Sequence, residues 1–237
     1  MTSREPSDPA LAQTLSRGIA ILELLAERGE PASIPEIVAG LGLHRSIAYR
    51  LLRTLEHHRL VVRDERGLVT LGPRLASLAA GVDRDLQSAA LPVLRATAEA
   101  LGATCFLVVL DHEEAVTLVS VEPRRSLVTV AEDPGTLHPL GIGAPGRAVL
   151  AQLPPARWPA DLTAAQREAT ARVGALGYAS SDGEVHPGLR GVAVPLAIEG
   201  RPPLALAVVY VTSRHEEPAL ADRLRLAADE LRAALGH

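Results

Sequence analysis

The feature that most constrains the fold of this 237-residue chain is the order of the short segments near its start. From Ser16 onward, apolar residues recur at helical spacing, and Gly29 supplies a stop for this first helix. Ser33 then stands as a helix cap, and Glu36 three residues later completes the pattern of a capping box. The second helix that begins there is predicted to be short, because glycines follow at positions 40 and 42.

A third helix and a hairpin complete this series. The third helix is predicted to run from Arg45 to about His58. Two β-prone runs, 60–63 and 68–71, flank a polar turn that contains Gly67, which is typical of a β-hairpin. Helix, short helix, helix and hairpin, in this order, indicate a winged helix-turn-helix, a fold whose second turn-linked helix reads DNA.

The third helix has one polar and one apolar face. At the helical rotation per residue, the polar residues between positions 45 and 57 fall within one arc of about 140°. The opposite side carries mainly Ile47, Ala48, Leu51 and Leu55, together with His58. Arginine, tyrosine and serine side chains bond phosphate oxygens and base edges. The sequence therefore predicts that the DNA-contacting residues of this helix are Arg45, Ser46, Tyr49, Arg50 and Arg53.

The turn of the hairpin adds two candidate DNA contacts. Arg63 and Arg66 lie where a cation reaches the neighbouring minor groove or backbone, although Asp64 and Glu65 in the same turn weaken this interpretation. Residues 44–74 contain seven arginines and three acidic residues, a local charge of +4 on a chain whose net charge is −4. A solvated helix face is the alternative explanation of such a cluster, and the helix-turn-helix context favours DNA instead.

Strands and helices alternate in the rest of the chain. Helices are predicted from Pro73 to about Asp85 and from Gln87 to Leu101. Short turns between the later β-type runs favour an antiparallel sheet over parallel βαβ units, which makes the fold class α+β. The predicted strands are Thr104–Leu110, Ala115–Val121, Leu127–Ala131, Leu189–Ile198 and Leu204–Thr212, and the predicted helices are Ala144–Leu153, Thr163–Leu176 and Glu217–Leu235.

Several classes of function lack their residues in this sequence. The lone Cys105 excludes an internal disulfide and a multi-cysteine metal centre. Ser180, Ser181, Asp182 and His186 resemble the parts of a hydrolytic triad, but no Gly-x-Ser-x-Gly surrounds either serine. We therefore expect no catalytic residues, no metal and no cofactor. The lack of a long apolar stretch and of a signal peptide predicts a soluble, cytoplasmic protein that does not enter a membrane.

Several motifs, in order along the chain, resemble the IclR family of bacterial transcription regulators. The first half carries Ser16–Leu22, Ser33–Ile37, Gly42-Leu43, Tyr49–Glu56 and Leu71–Leu75. The second half carries Pro139-Leu140, Ala144–Ala151, Gly177–Ala179, Asp182, Glu184, Gly188–Arg190 and Ala193–Pro195. The resemblance spans roughly residues 13–235.

This resemblance implies a domain order and a mode of action. It implies a tail over 1–12, a winged helix-turn-helix over 13–72, a linker helix over 73–85 and a GAF-like or profilin-like effector and oligomerisation domain over 86–237. Members act as repressors or activators. They form homodimers or homotetramers that place two recognition helices on near-palindromic double-stranded DNA, and a small molecule in the second domain modulates that affinity. The alternative is a ligand sensor whose winged helix contacts protein rather than DNA.

The resemblance also implies an effector pocket. The positions carried over are Gly143, Ala144, Ser181, Leu189, Gly191, Val208 and Tyr210. Relatives that bind small acids hold Asp, Cys or Ser at several of these positions. Because a desolvated carboxylate must be paired, these departures predict a larger, partly apolar or aromatic effector, with a pocket filled by side chains as the alternative. Small polar acids such as glyoxylate and pyruvate are expected not to bind.

Overall fold

The computed structural model of the chain describes residues 12–124, 129–211, 213 and 216–236. This part of the chain divides into two compact units, one ending at Val82 and the other beginning at Asp83. The predicted tail over 1–12 lies outside the described residues except for Ala12. Among the described residues, no helix combines the length and the apolar composition that a membrane crossing requires.

The first unit contains the predicted helices and hairpin. Its elements are α1 Gln13–Arg28, α2 Ile34–Leu41, α3 Arg45–His57, β1 Val61–Arg63, β2 Val69–Leu71 and α4 Arg74–Ala79. Helix α1 ends at Gly29, which has a left-handed φ of 63°. The capping box at the start of α2 is present in both directions, and hydrogen bonds from Ser33 hold the pKa of Glu36 below its ordinary value.

The core of the first unit joins the three helices to the hairpin. Ile21 of α1, Ile37 of α2 and Leu52 of α3 are fully buried together with Val69 of β2. The strands pair antiparallel, with Val61 opposite Leu71, and an isolated bridge joins Ala32 to Val69. The hairpin is therefore packed against the helices that it follows.

The second unit is an antiparallel sheet with helices on both faces. Its elements are α5 Arg84–Leu101, β3 Thr104–Asp111, β4 Glu114–Val121, β5 Leu137–Pro139, α6 Gly143–Leu150, α7 Ala164–Leu176, β6 Ala179–Asp182, β7 Arg190–Leu196, β8 Leu204–Tyr210 and α8 Glu217–Ala234. Within the described residues the strand order is β5-β4-β3-β8-β7-β6, and every pairing is antiparallel.

Two cores lie on opposite faces of this sheet. Alternate residues of β8, such as Leu206, pack with α5 and α8, while the residues between them, such as Ala207, pack with α6 and α7. This alternation follows from the two-residue period of a strand. The arrangement confirms the predicted α+β class with an antiparallel sheet flanked by helices.

Some predicted elements differ from the structure. Of the strand predicted at Leu127–Ala131, residues 127 and 128 lie outside the described part, and 129–131 are not in a strand. The edge strands of the sheet are instead β5 and β6, which have only three and four residues and carry His138 or Ser180 and Ser181. Such short, polar segments lack the alternation that identifies a strand.

The helix predicted from Pro73 to about Asp85 is shorter than expected. Helix α4 ends at Ala79, and residues 80–83 form turns before α5 begins. Asp83 has a left-handed φ of 43°, a conformation that a continuous helix does not allow. The periodicity of the sequence gives no sign of this break.

Candidate DNA-binding surface and effector pocket

One face of α3 is exposed and carries the cationic side chains that the sequence predicts to contact DNA. Its buried side consists of Ala48, Leu51, Leu52 and Leu55, which hold the helix on the core of the first unit. The other side exposes all the helix residues that the sequence predicts to contact DNA: Arg45, Ser46, Tyr49, Arg50 and Arg53.

The positive charges on this face are not neutralised by neighbours. Within the described part of the chain, neither Arg50 nor Arg53 forms an ion pair. The Arg45 guanidinium lies 5.7 Å from the centre of the Tyr49 ring, which orders both side chains without removing the charge. This leaves cations free for phosphate oxygens or guanine edges.

The two wing arginines have different surroundings. The Nε atom of Arg63 lies 2.8 Å from Oε1 of Glu56, so half-buried Arg63 pairs with the end of α3. Arg66 is exposed in the turn. The Asp64 carboxylate accepts the backbone N–H groups of Arg66 at 2.9 Å and Leu68 at 2.8 Å, so it shapes the turn. Within the described residues, only Arg63 of this pair forms an ion pair, and Arg66 lies exposed at the tip.

A separate cavity of about 330 Å³ lies in the second unit. Its walls come from β6, β7, β8, the start of α6 and the segment 130–138. Among the predicted effector residues, those that line it are Gly143, Ser181, Leu189, Gly191 and Val208.

Strand register decides which of the predicted residues face the cavity. Ser181 pairs with Gly191, and Gly191 pairs with Val209, so the three form one row across the sheet. Val208 and Tyr210 belong to the core on the other face. The Tyr210 side chain therefore points away from the cavity, and burial raises the pKa of its hydroxyl. Val209 is the β8 side chain on the cavity face, one residue from the predicted position.

The amide groups at the start of α6 are occupied by the protein's own side chains. The Gly143 N–H donates to Oε2 of Glu184 at 3.1 Å, and the Ala144 N–H donates to the Ser181 hydroxyl at 3.1 Å. Buried Arg147 donates to the same Glu184 oxygen at 2.6 Å. A helix N-terminus is a ready-made anion site, and here Glu184 fills it. Sequence reasoning assigned no site role to Glu184 or Arg147.

A second polar cluster at the cavity, formed by Thr117, Glu132 and His138, was also not predicted from the sequence. The Thr117 hydroxyl lies 2.9 Å from Oε1 of Glu132 and 2.8 Å from Nε2 of His138. The His138 ring stacks on Phe106, with ring centres 5.7 Å apart and planes 18° apart. Glu132, His138 and Phe106 line the cavity. The pairing of Ala115 with His138 is what brings these residues together, and it cannot be read from their spacing.

The set of residues considered as a triad does not converge. The Ser181 hydroxyl accepts the Ala144 amide, and exposed Asp182 pairs with Arg190 at 2.8 Å. Cys105 is buried, and desolvation raises the pKa of its thiol to about 12. Among the described residues, no group of His, Cys, Asp and Glu side chains has the geometry to hold a metal ion.

Two family models match this chain. The IclR helix-turn-helix domain matches residues 14–65, and the bacterial transcriptional regulator IclR C-terminal domain matches residues 79–233.

Curated relatives of this chain are HTH-type transcriptional repressors and regulators. The HTH-type transcriptional repressor AllR of Klebsiella pneumoniae is 32% identical over 154 residues, which cover 64% of this chain and 56% of AllR, so the match spans little more than half of that repressor. The HTH-type transcriptional regulator XynR of Escherichia coli K12 is 29% identical, with 96% of this chain and 98% of XynR covered.

Solved structures share the fold. An IclR transcriptional regulator from Alicyclobacillus acidocaldarius has a TM-score of 0.82 at 27% identity, over 94% of this chain and 99% of that one. An IclR homologue from Microbacterium hydrocarbonoxydans, complexed with 4-hydroxybenzoate, has a TM-score of 0.77 at 23% identity, over 94% and 99% of the two chains. At 23% identity, the likeness to this second structure shows a shared fold alone.

Proposed function

Because the chain belongs to the IclR family of bacterial transcriptional regulators, we propose that it is a cytoplasmic, sequence-specific DNA-binding regulator whose operator affinity responds to a small molecule in the second unit. The role proposed is regulatory and not catalytic. The observation that carries the DNA-binding part is the exposed face of α3, where Arg50 and Arg53 have no carboxylate partner within the described residues. The protein-contact alternative has no comparable observation in its favour.

The proposed DNA complex contains two copies of the chain. Arg45, Ser46, Tyr49, Arg50 and Arg53 would contact base edges and phosphates in the major groove. Arg66 would contact the neighbouring backbone or minor groove, while Arg63 would act mainly by fixing the wing to α3 through Glu56. A homodimer, alone or paired into a tetramer, would meet half-sites about 34 Å apart, which requires a near-palindromic operator.

The experiment that tests this function is the selection of bound duplexes from a random DNA library. At about 150 mM salt, non-specific phosphate binding is weak, so enrichment reports base recognition. We expect a near-palindromic sequence to be enriched. A folded protein that enriches no sequence, with or without ligands that bind it, would contradict the proposal.

The effector proposed for the cavity is partly apolar or aromatic. Support comes from the lining residues Val185, Leu189 and Val209 and from the stacked Phe106 and His138 rings. The IclR homologue from Microbacterium hydrocarbonoxydans was solved with 4-hydroxybenzoate, which shares the aromatic ring, though not the absence of a carboxylate, with this proposed class. Gly143, Ser181, Leu189 and Gly191 would contact the effector directly, and Val208 through its backbone. Ala144 and Tyr210 would not contact the effector directly but would support the residues that line the cavity.

Millimolar glyoxylate or pyruvate is expected to leave the melting temperature of the protein unchanged, because Glu184 already occupies the amides at the start of α6. Replacing Glu184 with alanine frees the Gly143 amide and the Arg147 guanidinium for an external anion. With ligand at about ten times its Kd, that variant should gain roughly 3 °C.

The matched control for this experiment is Glu168→Ala, which removes an exposed carboxylate from α7. It should respond to neither acid. A glyoxylate-dependent rise in the unmodified protein would show that an anion site is open despite Glu184.

A further inference from the structure

The hydrogen atoms of the Thr117, Glu132 and His138 cluster have one consistent arrangement. An ionised carboxylate only accepts hydrogen bonds, so the Thr117 hydroxyl donates its single hydrogen to Oε1 of Glu132 at 2.9 Å. The Thr117 oxygen must then accept from Nε2 of His138 at 2.8 Å. The Nε2 atom therefore carries a hydrogen, and it also lies 3.4 Å from Oε1 of Glu132. With the hydrogen on Nε2, the lone pair of the imidazole lies on Nδ1.

The Nδ1 atom is the unused polar group of this cluster. Within the residues that the structure describes, it has no hydrogen-bond partner, and the ring to which it belongs lines the cavity. Stacking on Phe106 and the bond to Thr117 fix the plane of the ring. A fixed acceptor at the wall of a partly apolar cavity recognises a ligand that brings a hydrogen-bond donor.

Charges around the cavity select against a carboxylate. Glu132 and Asp133 both line the same wall as His138. Arg190, the arginine among the lining residues, pairs with Asp182 at 2.8 Å, and the α6 amides are bound to Glu184 and Ser181. A carboxylate entering this cavity would lose water and meet the carboxylates of Glu132 and Asp133, while the arginine and the α6 amides are already engaged.

We propose that the effector is an uncharged aromatic or apolar molecule bearing a hydroxyl group, and that this hydroxyl donates to Nδ1 of His138. This inference rests on the proposed function, since it assigns the chemical class of the effector in the same cavity. Thr117 and Glu132 are positioning residues, which hold the imidazole ring of His138 and the hydrogen on its Nε2. The ligand ring packs against the stacked rings of Phe106 and His138.

The test is a binding titration of the full chain without DNA. The probes are para-alkyl phenols, the benzoates on the same frames and the matching benzylamines. We expect phenols to bind about tenfold or more tightly than the benzoates of equal size, the ratio that one neutral hydrogen bond and an unpaired carboxylate account for. Tighter binding of benzoates or benzylamines, or no phenol binding on any frame, would overturn the proposal.

Two variants separate recognition from packing. His138→Phe keeps a ring against Phe106 but removes the acceptor, so it should weaken phenol binding about tenfold while leaving the binding of matched toluenes unchanged. Glu132→Gln supplies a donor to the cluster and lets the His138 proton move to Nδ1, so the preference for phenols over benzoates should shrink or reverse. The control is His57→Phe, the same change at an exposed position of α3 in the first unit, which should bind phenols normally.

Failure of the proposed effector class can be distinguished from failure of the proposed DNA-binding function. Ligand binding is measured here without DNA, and operator selection is measured without these probes. An enriched operator with no phenol preference would leave the regulator intact and remove the effector class. A phenol preference that depends on His138, with no enriched operator, would support the effector class and contradict the proposed DNA-binding function.

Discussion

The double variant Arg50→Ala with Arg53→Ala is expected to lose sequence-specific DNA binding while keeping its fold. A well-placed bidentate arginine contributes about 1–3 kcal/mol of base discrimination, so losing two should lower operator affinity by at least about thirtyfold. Both side chains are exposed and, within the described part of the chain, neither forms an ion pair. The melting temperature should therefore change little. Fluorescence anisotropy with the selected operator measures the first effect, and thermal unfolding measures the second.

A charge-matched control keeps this prediction specific. Arg95→Ala with Arg172→Ala removes two exposed arginines from α5 and α7 and lowers the net charge by the same amount. If long-range attraction to phosphate were the main contribution of Arg50 and Arg53, both double variants would weaken binding alike. Full operator affinity in the Arg50 and Arg53 variant would show that α3 is not the recognition helix.

Gly146→Ala is expected to destabilise the second unit strongly. A Cβ at this position would lie 2.2 Å from the backbone carbonyl oxygen of Pro139 and 3.1 Å from its carbonyl carbon. Both atoms belong to the backbone, so the clash can be relieved only if α6 moves away from β5. The free-energy cost of this movement should exceed the usual overpacking cost of about 1–3 kcal/mol. We expect the melting temperature to fall by about 5–10 °C in calorimetry.

The control for this substitution is another glycine inside a helix. Gly174 in α7 has nothing within 4 Å of the place where a Cβ would stand. Gly174→Ala should therefore gain the helix propensity of alanine, about 1 kcal/mol, and raise the melting temperature by about 2–4 °C. Equal effects of the two substitutions would mean that α6 does not depend on its close approach to Pro139.

Local patterns predicted the first unit well because its elements are specified by neighbours in sequence. The capping box of Ser33 and Glu36 and the polar face of α3 are both present. Arg63 shows where local reasoning ends. Its partner Glu56 lies on the preceding helix, and only the packing of the hairpin brings the two within 2.8 Å. Spacing alone could not distinguish a wing cation that is free from one that is already paired.

The cavity was less predictable because strand register assembles it. A shift of one residue exchanges the faces of a strand, which is why Tyr210 lies in the opposite core and Val209 faces the cavity. The Thr117, Glu132 and His138 cluster draws on β4, the loop that follows it and β5. None of these residues forms a motif with another, so their grouping cannot be predicted from spacing along the chain.

The order of strands in the sheet has a consequence for synthesis on the ribosome. Its two central strands, β3 and β8, are separated by most of the second unit in sequence, whereas all the residues of the first unit lie before Asp83. The nascent chain can complete the first unit when Val82 has emerged, but the sheet cannot close until Tyr210 follows, on the order of ten seconds later at ordinary translation rates. A chain interrupted in that interval would hold a folded first unit without a folded second unit. Control by the proposed effector would therefore be the last property that each new molecule acquires.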